Sequence, residues 1–514
     1  MSSSVNGLFH KSLIFLHKWL GVTLALLFLM WFVSGVVLYF VPFPNLTQAE
    51  RLTGLPLLQL PAGCCMTADQ ASSSAGLRAS EVRLGMHEGQ PVWRMLGKPV
   101  DDAQAAPQWR AVHAQSGQIL PVLSVDAASK VAEVFSGKKA LAAELLERDQ
   151  WTVPQGLNPY RPLLRIEMDD PEGLELYVSA QSAEVVRDTR RAERFWNWLG
   201  AVPHWIYFTE LRRYPDAWHN VIVWLSIPGV ILSVTGIVLG AWHLFLNRSR
   251  WIPYRQWWMR WHHISGLVAA IFTLTWIFSG LLSMNPFGVF SPRGVSPNEH
   301  VRWVGVSTLA QIKNEQMQWV GVKPSAPLKP DEAMALSGGL AVKEIDLLRI
   351  AGQSWYRLLN EAEQRLVRAD KQAVGASQHL ITELPDDIIK TSLMTLRPAT
   401  VGTVTLTRLL AYDDLYYARA ITENTRHTRP LPVWRAQWED GLTIYADPAS
   451  ARVLLRADES NRWQRVLYNG LHSFDFAPLL ARPLLRDALI LIFSLLGTAL
   501  CVTSCVIAWR VLKK

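Results

Sequence analysis

The chain has 514 residues, half of them hydrophobic, with 51 lysines and arginines against 43 acidic residues and a formal charge of +8. That length alone suggests several soluble domains, yet the apolar residues gather into four long uncharged runs, which excludes an ordinary soluble protein. The basic excess is confined to a few short segments around those runs, which excludes a nucleic-acid footprint and leaves the lipid bilayer as the first partner.

Residues 1–18 form a basic N-terminal segment that leads into the first run, Trp19 to Val41. This span, 19–41, exceeds the roughly 20 residues a bilayer crossing needs. It is too long for a cleavable signal peptide and no small-x-small site follows, so it reads as an uncleaved anchor. Residues 42–218 are a long connection. Within it, Leu57 to Ala79 reads as loop, and Trp109 to Leu123 as a hairpin with Gly117 in its turn. DAASKVAEVF reads as a helix capped by Asp126, and GLELYVSAQSAEVVRD (Gly173 to Asp188) as a second hairpin. The second span, 219–246, contains the uncharged run Val221 to Leu246. A short connection, 247–261, holds Trp251, Trp257, Trp258 and Trp261, an aromatic belt together with Trp242. The third span, 262–284, contains Ile264 to Met284. In the second long connection, 285–487, Lys323 to Pro330 is a proline-rich loop, and WEDGLTIYADPASARVLLR (Trp438 to Arg456) repeats the hairpin pattern. The fourth span, 488–509, and a basic tail, 510–514, complete the chain.

Charge sets the expected orientation. Lys11, Lys18, Arg248, Arg250, Arg255, Arg260, Arg510, Lys513 and Lys514 flank the spans with no acidic residue among them. Without these nine, the rest of the chain is nearly neutral, 42 basic against 43 acidic. Both termini and the short connection are therefore expected in the cytoplasm, and both long connections outside. The four cysteines give neither C-x-x-C-H nor a zinc pattern, which rules out covalent c-type haem.

The chain is two copies of one unit. LHKWLGV (Leu16 to Val22) and WHHISGL (Trp261 to Leu267) align at an offset of 245 residues. That offset carries His17 onto His262, Gly21 onto Gly266, Trp31 onto Trp276 and Ser34-Gly35 onto Ser279-Gly280. At an offset of 268, Tyr177 falls on Tyr445, His204 on His472, His219 on Asp487 and Thr235 on Thr503. Each half is thus a span, an outer α+β region, a His-x-x-x-Phe segment and a second span. Duplications of this kind often share a site at the repeat interface.

Seven histidines lie at span edges: His17, His243, His262 and His263 on the cytoplasmic side, His204, His219 and His472 on the outer side. Ionisable residues beside a span point to function. Two neutral imidazoles on facing helices suit the two axial positions of one haem iron. Repeat symmetry predicts an inner pair, His17 and His262, and an outer pair, His204 and His472. His219 competes for the outer site, and His243 is the inner reserve. The glycines at Gly21 and Gly266 remove bulk on the histidine face, for a flat macrocycle or for close helix packing. Asp487, the carboxylate adjoining the fourth span, reads as its helix cap. The sequence shows no G-x-G-x-x-G after a strand, Walker loop, nucleophile elbow or HExxH. If it moves electrons, a separate donor supplies them.

LHKWLG with WFVSG, WHHISGL with WIFSG, and NGLHSFDF (Asn469 to Phe476) resemble the bacterial PepSY-associated transmembrane proteins, which include iron-uptake-associated inner-membrane proteins and ferric-siderophore reductases. The hairpins around Tyr177 and Tyr445 look like PepSY modules. The resemblance implies a four-helix integral membrane protein of the bacterial inner membrane, made of a duplicated two-helix unit with two α+β periplasmic PepSY-like regions. It also implies two b-type haems held by His17, His262, His204 and His472, and reduction of a ferric siderophore in the periplasm with release of Fe(II). The electron donor is left open between a cytoplasmic reductase and a quinol. PepSY modules elsewhere act as protease-inhibiting propeptides, so the alternative is a haem-free scaffold that binds or inhibits a periplasmic peptidase or envelope partner.

Overall fold

A computed structural model describes residues 2–102, 104–246, 252–305, 326–369, 380–398, 402–422 and 424–513. Arg248, Arg250, Trp251, Lys514 and residues 323–325 of the proline-rich loop lie outside them. The chain divides into two units, residues 1–43, 192–291 and 460–514 in one and residues 44–191 and 292–459 in the other.

The first unit is a helical bundle. Its four long helices are α1 (Ser2–Phe40), α2 (Pro215–Ala241), α3 (Trp257–Ser283) and α4 (Pro483–Leu512). Each is long and apolar enough to cross a membrane. They are apolar on every side, as a helix must be when its outer face meets lipid. Proline sits in the first turn of α2 and α4, where its missing N–H costs nothing. Leu24, Phe28 and Phe32 of α1 pack with Ile277 of α3 and Cys501 of α4 in the middle of the bundle. The close approach of α1 to α4 requires Gly497: a Cβ there would stand 2.0 Å from the Phe32 ring. Asp487 does not cap α4. The helix begins at Pro483, and Asp487 lies inside it, accepting a hydrogen bond from the Tyr39 hydroxyl.

Among its described residues the second unit holds three antiparallel sheets. β4 (Ala140–Leu146), β5 (Leu163–Met168), β6 (Glu175–Ser179) and β7 (Glu184–Thr189) form one, in that order. The helix Val125–Ser136 packs on it through Ala128 and Ala132 against Leu164, Ile166, Leu176 and Val178. That helix is capped by Ser124, whose side chain accepts from the Ala127 amide, and not by Asp126. β11 (Val404–Leu409), β12 (Val433–Trp438), β13 (Thr443–Asp447) and β14 (Arg452–Ala457) form a second such sheet. Ile389 and Leu393 of the helix Asp386–Thr395 share its core with Trp434, Ala436 and Ile444. The hairpins read around Tyr177 and Tyr445 are present, β6–β7 and β13–β14, and their irregularities repeat. A bulge follows Tyr177 in one and Tyr445 in the other, and Ala183 and Ala451 both turn the chain at positive φ.

The third sheet was not read in the sequence. β1 (Leu77–His87), β2 (Gln90–Pro99) and β3 (Gln108–His113) join β8 (Glu344–Ile350), β9 (Gln353–Leu359) and β10 (Gln364–Arg368) in the order β10-β9-β8-β1-β2-β3. The two long connections are therefore spliced into one sheet through β1 and β8. Around the splice, Arg51 binds Glu344 with both guanidinium nitrogens, at 2.8 and 2.5 Å, while Arg83 reaches Glu184 at 3.2 Å. Leu57 to Ala79 is not all loop: a helix runs Ala68–Ala75 and β1 follows at once. Cys64 and Cys65 form a disulfide with each other. The hairpin read at Trp109 to Leu123 is present with a short second arm: β3 pairs back through His113 N to the Gln118 carbonyl at 2.9 Å, Leu120 N to the Ala111 carbonyl at 2.8 Å and the bridge Val112 to Ile119, with Gly117 turning the chain at positive φ.

Candidate functional site

Repeat-related histidines meet twice in the bundle. His17 of α1 stands against His262 of α3 with ring centroids 6.3 Å apart and ring planes inclined by 46°. His204, from the short helix Ala201–His204, stands against His472, from the turn Leu471–Ser473, again at 6.3 Å and at 61°. Along α1, His17 lies about 25 Å from Ser34, which touches His204, taking 1.5 Å per residue.

All four rings are anchored at the same nitrogen. His17 Nδ1 faces the Leu232 carbonyl at 3.2 Å and Thr235 Oγ1 at 3.1 Å. His262 Nδ1 faces Thr503 Oγ1 at 3.4 Å and Ser504 Oγ at 3.2 Å. His204 Nδ1 faces the Trp31 carbonyl at 3.1 Å and Ser34 Oγ at 3.3 Å, and His472 Nδ1 faces Ser279 Oγ at 2.9 Å. The hydroxyl hydrogens are already committed: Thr235, Thr503, Ser34 and Ser279 each donate to the carbonyl three residues back on their own helix. Each oxygen can then only accept, so Nδ1 carries the proton in every ring. In that tautomer the lone pair is on Nε2, the form of histidine that binds a metal.

The arrangement fits haem. The two pairs share one ring separation, 6.3 Å between centroids. Among the described residues no group of three or more His, Cys, Asp or Glu side chains is placed to hold a metal ion. A pair of imidazoles suits a metal whose remaining ligands come from its own macrocycle. Glycine makes room for the rings: a Cβ at Gly236 would be 2.9 Å from His17 Cε1, and one at Gly35 would be 3.0 Å from His204 Cε1. Arg486 and Arg212 are buried in the same unit; Arg486 pairs with Asp475 and Asp487 at 3.9 and 3.7 Å, and the Arg212 guanidinium lies over Tyr207 and Trp218.

The other sequence candidates are placed elsewhere. His219 lies in the second turn of α2 and has neither a ring contact nor a hydrogen bond with either pair. His243 and His263 stand together, 5.8 Å between centroids, in a separate cluster. Gly21 and Gly266 do not border a tight crossing: an added Cβ would make ordinary contact with Leu232 and Leu500 at 3.9 and 3.7 Å. The anchoring residues were present in the repeat alignment, which superposes Ser34 on Ser279 and Thr235 on Thr503. Their recurrence beside the histidines was the signal for their role.

The sequence profile described as the PepSY-associated TM region matches residues 14–511, nearly the whole chain. No curated protein matches it.

Proposed function

We propose that this chain, which belongs to the family of PepSY-associated TM proteins and is an integral membrane protein, is a di-haem b oxidoreductase of the bacterial inner membrane. In this reading both termini are cytoplasmic, electrons cross the membrane from a cytoplasmic reductase or a quinol, and a ferric siderophore or similar ferric chelate is reduced in the periplasm. The observation that carries the reading is the doubled histidine pair, at one separation and held at Nδ1 in both copies.

Haem b, when bound, supplies one-electron chemistry between the ferric and ferrous states. The chain's own residues prepare for it. His17 with His262, and His204 with His472, offer basic Nε2 atoms. Thr235, Thr503, Ser504, Ser34 and Ser279 fix the rings and hold the proton at Nδ1. Leu24, Phe28, Phe32 and Ile277 keep water out of the interval between the pairs. The connections 42–218 and 285–487 would bind the chelate. Fe(II) leaves because most siderophores hold it more weakly than Fe(III).

The test is spectroscopic. Protein purified in detergent from haem-replete cells should give a b-type reduced-minus-oxidised spectrum and about two haems per chain by pyridine haemochrome, one for each pair. A colourless preparation would overturn the reading and favour a PepSY scaffold.

A further inference from the structure

A third group of histidines lies apart from both pairs. His10 of α1, His243 of the π-helical segment Trp242–Leu246 and His263 of α3 converge with Tyr254. Ring centroids are 6.2 Å apart for His10 and His243, 5.8 Å for His243 and His263, and 6.0 Å for His243 and Tyr254. Trp242 stacks on His10 at 4.9 Å.

Two ring nitrogens in this group, His10 Nε2 and His243 Nδ1, are buried with no hydrogen-bond partner in the protein. Leaving such atoms unmatched costs about 1–3 kcal/mol each, so a ligand that satisfies both gains that much. A π-helical turn carries one of them, and such turns are frequent at functional sites. These side chains do not make a site for a bare metal ion. A flat ring bearing two oxygens suits them better. Its hydroxyls donate to an imidazole nitrogen, and its oxidised carbonyls accept from an imidazole N–H, so the site holds both redox forms. The apolar side chains of Leu8, Phe9 and Phe245, which flank His10 and His243 in the chain, are 70, 56 and 63% exposed, so an apolar ligand would reach the cluster from lipid.

We infer that this cluster is a hydroquinone site, the point at which electrons enter, an inference that rests on the reductase reading above. Two O–H bonds of the hydroquinone break and the quinone forms. The two electrons reduce two ferric ions to ferrous, and the two protons pass to water on the same face. His243 and His10 orient the hydroxyls, with Trp242 and Tyr254 as aromatic walls.

Binding of 2-heptyl-4-hydroxyquinoline N-oxide, a quinol analogue whose fluorescence is quenched when bound, tests this on the full chain in detergent. Saturable quenching is expected with the unaltered protein, weakened about tenfold in His243→Ala and in His10→Ala, the loss of one hydrogen bond. Haem content and elution volume should be unchanged, with His243→Gln as a second variant should the alanine form misfold. A haem-loaded protein that shows no saturable quenching, or equal affinity in folded variants, overturns the site. A haem-free protein that still binds the analogue supports the site and overturns the di-haem reading.

Discussion

The four paired imidazoles are held by hydroxyls that have no hydrogen left to give. A small change there acts on one ring and spares the fold. Ser279→Ala removes the acceptor 2.9 Å from His472 Nδ1, so that ring is freer to turn and to change tautomer. Loss of such an outer partner typically weakens a metal site about 10–100-fold. Haem transfer to excess apomyoglobin should therefore become faster for one of the two haems in this variant, with the other unchanged; equal loss from both would contradict the assignment. Gly236 makes a different case. Its repeat counterpart is Ser504, which contacts His262 Nδ1 at 3.2 Å, while a Cβ at Gly236 would press on His17 Cε1 at 2.9 Å. The two halves seat their rings differently at this position, one by leaving space and one by a hydroxyl. Gly236→Val is expected to halve haem content by displacing His17, a result that haemochrome counting reads directly.

Among the elements, the hairpins were legible and the splice between sheets was not. GLELYVSAQSAEVVRD and its repeat alternate apolar and polar residues around a short turn, so local pattern sufficed. The junction of β1 with β8 has only two residue pairs in register, Arg83 with Asp346 and Leu84 with Ile345. It joins strands more than 250 residues apart, and no local pattern reports such a contact. What holds it is ionic as well as apolar. Glu344 is almost fully buried and lies between Arg51 and Arg83. Although burial opposes its charge, those guanidiniums hold its carboxyl well below the ordinary value of 4.5. Glu344→Ala would leave Arg51 without its closest partner, and breaking a buried pair in this way costs about 3–5 kcal/mol. A lower melting temperature is expected for the full chain, with the histidine pairs still loaded. The same carboxylate sets an acid limit. Because its folded-state pKa is depressed, its contribution is complete above about pH 4.5 and is lost as pH falls toward the folded value. The unfolding midpoint of the parent chain should fall with acidification in that window, and that of Glu344→Ala should fall less. A parallel fall in both would remove Glu344 as the cause.

At the scale of the whole molecule, duplication decided what sequence reasoning recovered. His17, His262, His204 and His472 recur at fixed offsets, so their pairing followed from symmetry before any contact was known. His10, His243 and His263 have no such echo: the offsets carry them onto Arg255, Val511 and Lys18. A cluster that exists in one half only leaves no trace in a repeat alignment, which is why His243 read as a spare inner ligand. The vicinal disulfide was missed for the same reason. Duplication also makes a demand on function. Two sites built from separate residues, about 25 Å apart along α1, should fill and empty independently. His17→Ala and His472→Ala are each expected to lose about half of the bound haem, and the double variant nearly all of it, because distant sites without shared partners act additively. The half that remains should differ between the single variants, since each pair has its own anchoring set, and low-temperature spectra of the α band would distinguish them. If either substitution alone emptied both sites, the pairs would be parts of one cooperative unit. If neither reduced haem content, the iron would be held elsewhere and the symmetry would be a matter of helix packing.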